Sequence, residues 1–420
     1  MAMANSPSLS ARLDKTLALG LGLTFLASLG TGAVTNGIFF LTESALGYGK
    51  AGNMLVALLM GVAYIAGAAG VGPMLRRRTA RSKLTTREVA SWLLVVIGAA
   101  CTIPAVAGGG IKNPPPAWSL WVLVLVFGVL TGAFWPIVEG YISGGRRNAR
   151  LRSAVGWFNI VWASSVIAAM WLIAPFVAER PMAVLLWVGL AHGLAALLLR
   201  PLPPEPPKHL DDSPHAVPPH FADLLRTTRV LLPAAYMLIS AIGPAIPAVL
   251  GHLGVPLVWK APVFSAWLVA RLAAFIGLER WHGWHGRWWL PLVGGVGMIV
   301  GFACAVLSPR FGSLGLVTLF AGLGVFGICV VMIYVASLYY GMEVGGASVD
   351  DGGKHEAFIG LGYAGGPAFG LVAASIVGRD SPDLDLAIVA IVGPVALVAV
   401  VLGLVVALRS RRAVRGETIE

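Results

Sequence analysis

Apolar residues recur along this chain in long runs that charged clusters, Pro-rich turns and Gly clusters interrupt. Twelve such runs are present, at 16–41, 53–73, 89–107, 118–141, 154–178 and 183–200, then at 230–250, 262–279, 290–308, 313–340, 357–378 and 386–408. About 20 apolar residues at 1.5 Å rise each cross a bilayer as one helix. Length and periodicity therefore predict an all-α, polytopic membrane protein of twelve transmembrane helices. The first run is about 25 residues long and lacks a short apolar core followed by a small-residue cleavage site, so it reads as a retained span rather than a signal peptide.

Composition agrees. Of the 420 residues, 57% are hydrophobic and 12% charged, whereas soluble domains carry about 25% charged residues. The net charge of +11 raises the question of nucleic acid. Position answers it: twenty-three of the thirty Lys and Arg fall in alternate loops and at the two ends, six fall in the loops between, and Arg271 stands alone inside a run. Such an asymmetry marks the cytoplasmic face of a membrane protein and predicts that both termini lie there, with basic side chains near anionic lipid and no nucleic-acid partner. The expected location is a plasma membrane. No Asn-X-Ser/Thr sequence occurs, which favours a bacterial inner membrane. Cys101, Cys304 and Cys329 all fall within runs and give no disulfide framework.

Residues 201–229 are rich in proline and charge and read as a cytoplasmic linker between a bundle at 1–200 and a second at 230–420. The halves repeat. YIAGAAGVGPMLRR at 64–77 lies over WLVARLAAFIGLER at 267–280, GAAC at 98–101 over GFAC at 301–304, and RSAVG at 152–156 over EAFIG at 356–360, at shifts of 203, 203 and 204. Three matches at a nearly constant shift point to parallel duplication of a six-helix unit.

This organisation resembles the major facilitator superfamily, whose two six-helix halves are related by an axis along the membrane normal. A loop motif supports it: Gly72, Arg77 and Arg81 hold three positions of Gly-x-x-x-Asp-Arg-x-Gly-x-Arg, while Arg76 and Thr79 replace the acid and the second glycine. In the second half Glu279-Arg280 keeps the acid and arginine. The resemblance implies two pseudo-symmetric bundles in the facilitator fold. It further implies a secondary active or facilitative transporter that moves a small polar or anionic solute by alternating access, without a cofactor, as a monomer. Efflux of amphipathic compounds is the alternative, and a non-transporting sensor or a membrane transferase ranks below it. No His-x4-Asp pattern occurs, and the acidic pair Asp350-Asp351 runs straight into Gly352 and Gly353.

Arg271 lies about nine residues from either end of its run. An arginine at mid-bilayer costs roughly 2.5–3.5 kcal/mol on insertion scales, so it should face a wet cavity or a partner. Its guanidinium fork suits carboxylate or phosphate, against a structural reading in which it bonds helix carbonyls. Other cavity candidates by depth are Thr35, Asn36, Asn159, Trp162, Tyr236, Ser240, Tyr334, Ser337 and Tyr363. Gate or coupling residues are expected at the basic end: Glu139 paired with Arg77 or Arg152, Glu356 opposite Arg152, and Glu279 with Arg280. No Asp or Glu is expected at mid-depth. A coupling proton would then have to use Glu139 or Glu356, and uncoupled movement is the other route. The run Gly362-Tyr-Ala-Gly-Gly366-Pro367-Ala-Phe-Gly370 reads as a site of close helix packing. His282 and His285, and His209, His215 and His220, offer no convergent ligand geometry, and no metal is expected.

Overall fold

The computed structural model describes residues 15–79, 84–207, 218–345 and 348–414; Arg81 and the linker stretch 208–217, with His209 and His215, lie outside them. Among the described residues, twelve helices are long and apolar enough to cross a membrane: α1 Lys15–Asn36, α2 Lys50–Arg77, α3 Thr86–Ala107, α4 Ala117–Ser143, α5 Asn148–Ile173, α6 Pro181–Leu198, α7 His220–His252, α8 Leu257–Arg280, α9 Trp289–Val306, α10 Ser308–Gly345, α11 Val349–Val377 and α12 Leu384–Ser410. The chain is a multi-pass membrane protein. Large apolar side chains such as Val62, Trp92, Val317 and Leu402 point outward, while Glu139, Asn159, Arg271 and Glu356 are buried, the reverse of a soluble protein and the arrangement lipid imposes.

Helix packing repeats at an offset of six. In the first half α1 packs against α4, α5 and α6, α2 against α4, and α3 against α4 and α6; in the second half α7 packs against α10, α11 and α12, α8 against α10, and α9 against α10 and α12. Across the halves, α2 packs along α11 and α5 along α8, two seams that the same offset interchanges.

Small residues make the α2–α11 seam close. A Cβ on Gly61 would lie 2.5 Å from the backbone of Ala364 and Tyr363, and one on Gly360 would lie 2.7 Å from Ile65. Glycine lets the two backbones touch there. Gly362 and Gly366 turn the other way, against the backbone of α7 at Pro233 and Met237, which is the close packing that the glycine run predicts.

Three helices have local features that bear on the site. In α1 the backbone widens to a π-helix over Thr31–Asn36, and Asn36 donates its side-chain amide to the Thr31 carbonyl at 3.0 Å. In α8 the helix breaks at Ser265, whose hydroxyl donates to the Pro262 carbonyl at 2.6 Å. The α11 helix starts at Val349, well before the apolar run at 357, because Ser348 and Asp351 form a reciprocal capping box. Glu356 therefore sits two turns inside a helix, although its flanking sequence, Gly-Gly-Lys-His-Glu, reads as loop.

Candidate functional site

The centre of the molecule holds a cavity of about 30 Å³, space for about two water molecules. Both halves line it. Thr31, Thr35, Tyr64, Thr131, Trp135, Phe158 and Trp162 come from α1, α2, α4 and α5, and Tyr236, Tyr334, Glu356, Ile359 and Tyr363 from α7, α10 and α11. The widened turn of α1 presents the two threonines. Tyrosine rings pack edge to face around the wall, with Tyr64–Tyr363 centroids 5.5 Å apart and Tyr236–Tyr363 at 5.2 Å.

Arg271 lies behind this wall, 1% exposed. Its Cζ is 4.5 Å from the ring centre of Trp162, 4.9 Å from Tyr334, 5.3 Å from Phe275 and 5.7 Å from Trp267. Nη2 donates to the Tyr236 hydroxyl at 3.3 Å, and Nε has no partner among the described residues. No carboxylate forms an ion pair with it among the described residues. A permanent positive charge is thus held by the faces of aromatic rings, and three of the residues that hold it, Trp162, Tyr236 and Tyr334, also line the cavity.

Polar contacts join the two halves on both faces of the bundle. On the basic face Arg76 of α2 pairs with Asp350 of α11, and Arg152 of α5 and Glu279 of α8 line one small crevice. Arg76 and Glu279 are repeat equivalents at the shift of 203, so the two seams place opposite charges at equivalent positions. On the opposite face Lys260 of α8 donates to both oxygens of Glu43 at 2.9 Å, Lys50 pairs with Asp385 at 2.8 Å, and Trp171 donates to the Ser265 hydroxyl at 3.2 Å.

No protein-family profile matches the chain, and no curated protein matches it by sequence. Solved structures do. A point mutant of the nucleoside transporter NupG superposes with TM-score 0.62 at 14% identity, covering 93% of this chain and all of that one. The NupG structure without that substitution gives 0.60 at 14% over 94% and 99%, and the human organic anion transporter MFSD10 (TETRAN) gives 0.60 at 13% over 94% and 100%. The chain has the major facilitator fold. Likeness at this identity fixes the architecture and leaves chemistry to the side chains.

Within that fold the predicted solute residues divide. Trp162, Tyr236, Tyr334, Tyr363 and Thr35 line the central cavity. Ser240 instead ties helices together, donating to the Gly362 carbonyl at 2.9 Å. Asn36 closes its own turn, Ser337 faces His355 at 3.4 Å, and Asn159 lines the crevice of Arg152 and Glu279.

The gate pairings are re-sorted. The Glu139 carboxyl faces Glu356 rather than Arg77 or Arg152, because α4 meets α11 at this level, and Gly352 brings the helices together: a Cβ there would lie 2.7 Å from Glu139 Oε2 and 3.1 Å from Pro136. Glu356 accepts a hydrogen bond from Tyr64, and Arg152 interacts with Glu279 instead. Arg77 and Arg280 are exposed at the helix ends. Glu356 also overturns the expectation of a cavity without acids, since the early start of α11 carries it to the wall. Tyr64, Thr31, Trp135 and Phe158 escape the sequence reading. For Tyr64 a signal exists, because it aligns with Trp267 in the repeat, and Trp267 packs on Arg271.

Proposed function

We propose that this chain is a transporter that carries a small organic anion across the membrane by alternating access between two six-helix bundles, residues 1–200 and 230–420, joined by the linker at 201–229. The observation that carries the reading is Arg271. An arginine buried without a counter-charge beside a central cavity is costly to keep, and the cost falls when an anionic group enters and takes the free side of the guanidinium. Its planar fork matches carboxylate or phosphate, and the tyrosine and tryptophan wall fits the apolar or aromatic body of such a solute.

The cavity is too small for any organic solute while both ends are shut. Rocking of the bundles about α2–α11 and α5–α8 would widen it towards one side at a time, breaking Arg76–Asp350 on the basic face or Glu43–Lys260 on the other. The asymmetry of basic residues supports placing both termini in the cytoplasm, and the neighbours in this fold include proteins that move nucleosides and organic anions.

A defined test is uptake by proteoliposomes of labelled benzoate, succinate, a sugar phosphate and an uncharged nucleoside. The reading expects saturable uptake of one or more anions and its loss in Arg271→Met. Uptake confined to the nucleoside, or anion uptake untouched by Arg271→Met, would overturn it.

A further inference from the structure

Glu139 of α4 and Glu356 of α11 bring their carboxylates together inside the protein, and His355 joins them. One carboxylate oxygen from each acid and one ring nitrogen all lie within 4.8 Å of one another. The three residues are 2%, 5% and 4% exposed. Among the described residues, neither oxygen of Glu139 meets a hydrogen-bond donor, and Nε2 of His355 has no partner. Two like charges side by side in a buried site repel strongly, and open donor or acceptor sites add to the cost. A cation placed among them removes both penalties.

The donor set selects the cation. Imidazole nitrogen beside two carboxylates suits a transition-metal dication, while magnesium and calcium prefer oxygen alone. Two positive charges match the two carboxylates. The surroundings are those of a supported ligand set. Ser337 Oγ stands 3.4 Å from His355 Nδ1; a proton on Nδ1 directed to it leaves the Nε2 lone pair free for a metal. Tyr64 donates to Glu356 and holds that carboxylate in place. The ring of Tyr334 packs edge-on against His355 at 5.4 Å, and the missing side chain of Gly352 lets the Glu139 carboxylate come close to the α11 backbone.

We propose that Glu139, His355 and Glu356 bind a divalent transition-metal ion that joins α4 to α11. The ligands come from both halves, so the ion favours the state in which the halves meet at this level and is released or loosened as they part. Four helices place the other charged and polar groups around it: Tyr64 on α2, Arg229 on α7, Tyr334 and Ser337 on α10, and Asp351 on α11 one turn before His355.

The test needs no knowledge of the solute, so its failure leaves the anion reading standing and the reverse also holds. Purified full-length chain, stripped of metal in detergent, is titrated with Zn²⁺, Mn²⁺ and Mg²⁺ by calorimetry and thermal unfolding, and with Co²⁺ by visible absorption. Expected is equimolar binding of Zn²⁺ or Mn²⁺ with a higher unfolding temperature, a Co²⁺ spectrum with a nitrogen ligand, and little response to Mg²⁺. Glu139→Gln and His355→Gln should each weaken binding by tenfold or more, and Tyr64→Phe, which keeps the ring, by a smaller factor. His252→Ala, on the exposed end of α7, should bind as wild type. Absence of equimolar binding, or binding unchanged in both Glu139→Gln and His355→Gln, overturns the proposal. So does a wild-type unfolding temperature that follows pH and ignores metal, the mark of a shared proton in its place.

Discussion

Replacing Arg271 with methionine separates a solute anchor from a structural arginine, because the two roles give opposite signs. The methionine fills much of the same volume among Trp162, Trp267, Phe275 and Tyr334. What is lost without solute is cation–π attraction, about 0.5–2 kcal/mol for each of the two rings a guanidinium can stack on, and one long hydrogen bond that Arg271 donates to Tyr236, about 1 kcal/mol. What is recovered is the cost of keeping the charge at depth, roughly 2.5–3.5 kcal/mol. These nearly cancel, so the unfolding temperature of the empty protein should stay close to wild type. Solute binding behaves differently. A carboxylate about 4 Å from the guanidinium gains about 4 kcal/mol at an effective dielectric of 20, and part of that is spent on desolvating the anion. A net loss of about 3 kcal/mol, or roughly a hundredfold in affinity, is expected in the variant. Thermal unfolding in detergent with and without a transported anion reads both quantities on one sample. If Arg271→Met unfolds far below wild type while the remaining folded protein keeps its anion affinity, the arginine is structural and the reasoning fails.

Tyr236→Phe removes the hydroxyl that fixes Arg271 and should weaken anion affinity about fivefold, near 1 kcal/mol; unchanged Kd would show that the rings alone orient the charge. Gly61→Val places atoms against the backbone of Ala364 and should hold α2 off α11, abolishing uptake while exposing a cysteine introduced at Ile359 to a polar thiol reagent added on the basic face; unaltered labelling would refute the seam as the inner closure. Across the opposite face, Lys260→Glu or Glu43→Lys alone should lower thermal stability, and the two together should restore most of it, with a coupling energy of about 1 kcal/mol in a double-mutant cycle. Additive losses would show that the pair does not hold that end shut. Charge reversal at Arg152 and Glu279 together should likewise rescue the transport lost in either single variant.

Much of the architecture is legible in the pattern of apolar runs, because lipid demands a continuous apolar helix for every crossing and leaves few alternatives. The chemistry is legible where a residue violates that demand. Arg271 stands out for this reason, and four of the aromatic residues chosen by depth do line the cavity. What the sequence hides are contacts made by tertiary packing. Glu139 and Glu356 are far apart in the chain, and each has basic residues nearby in sequence that look like natural partners; only the approach of α4 to α11 across Gly352 makes two acids neighbours. The start of α11 is hidden by its own composition, since Gly352, Gly353 and Lys354 read as turn while Ser348 and Asp351 cap a helix that runs through them. Asn36 and Ser240 show the converse: polarity at mid-depth spent on the backbone of a widened turn and on a helix contact.

The helix α11 carries Asp350 of the inner ion pair, Glu356 at the cavity wall and Tyr363 at the same wall two turns further on. In a stiff rod about 43 Å long, at 1.5 Å per residue over its 29 residues, these positions cannot move independently. A solute that pushes Tyr363 aside tilts the whole lever, and the far arm of that lever is the bolt of the inner door.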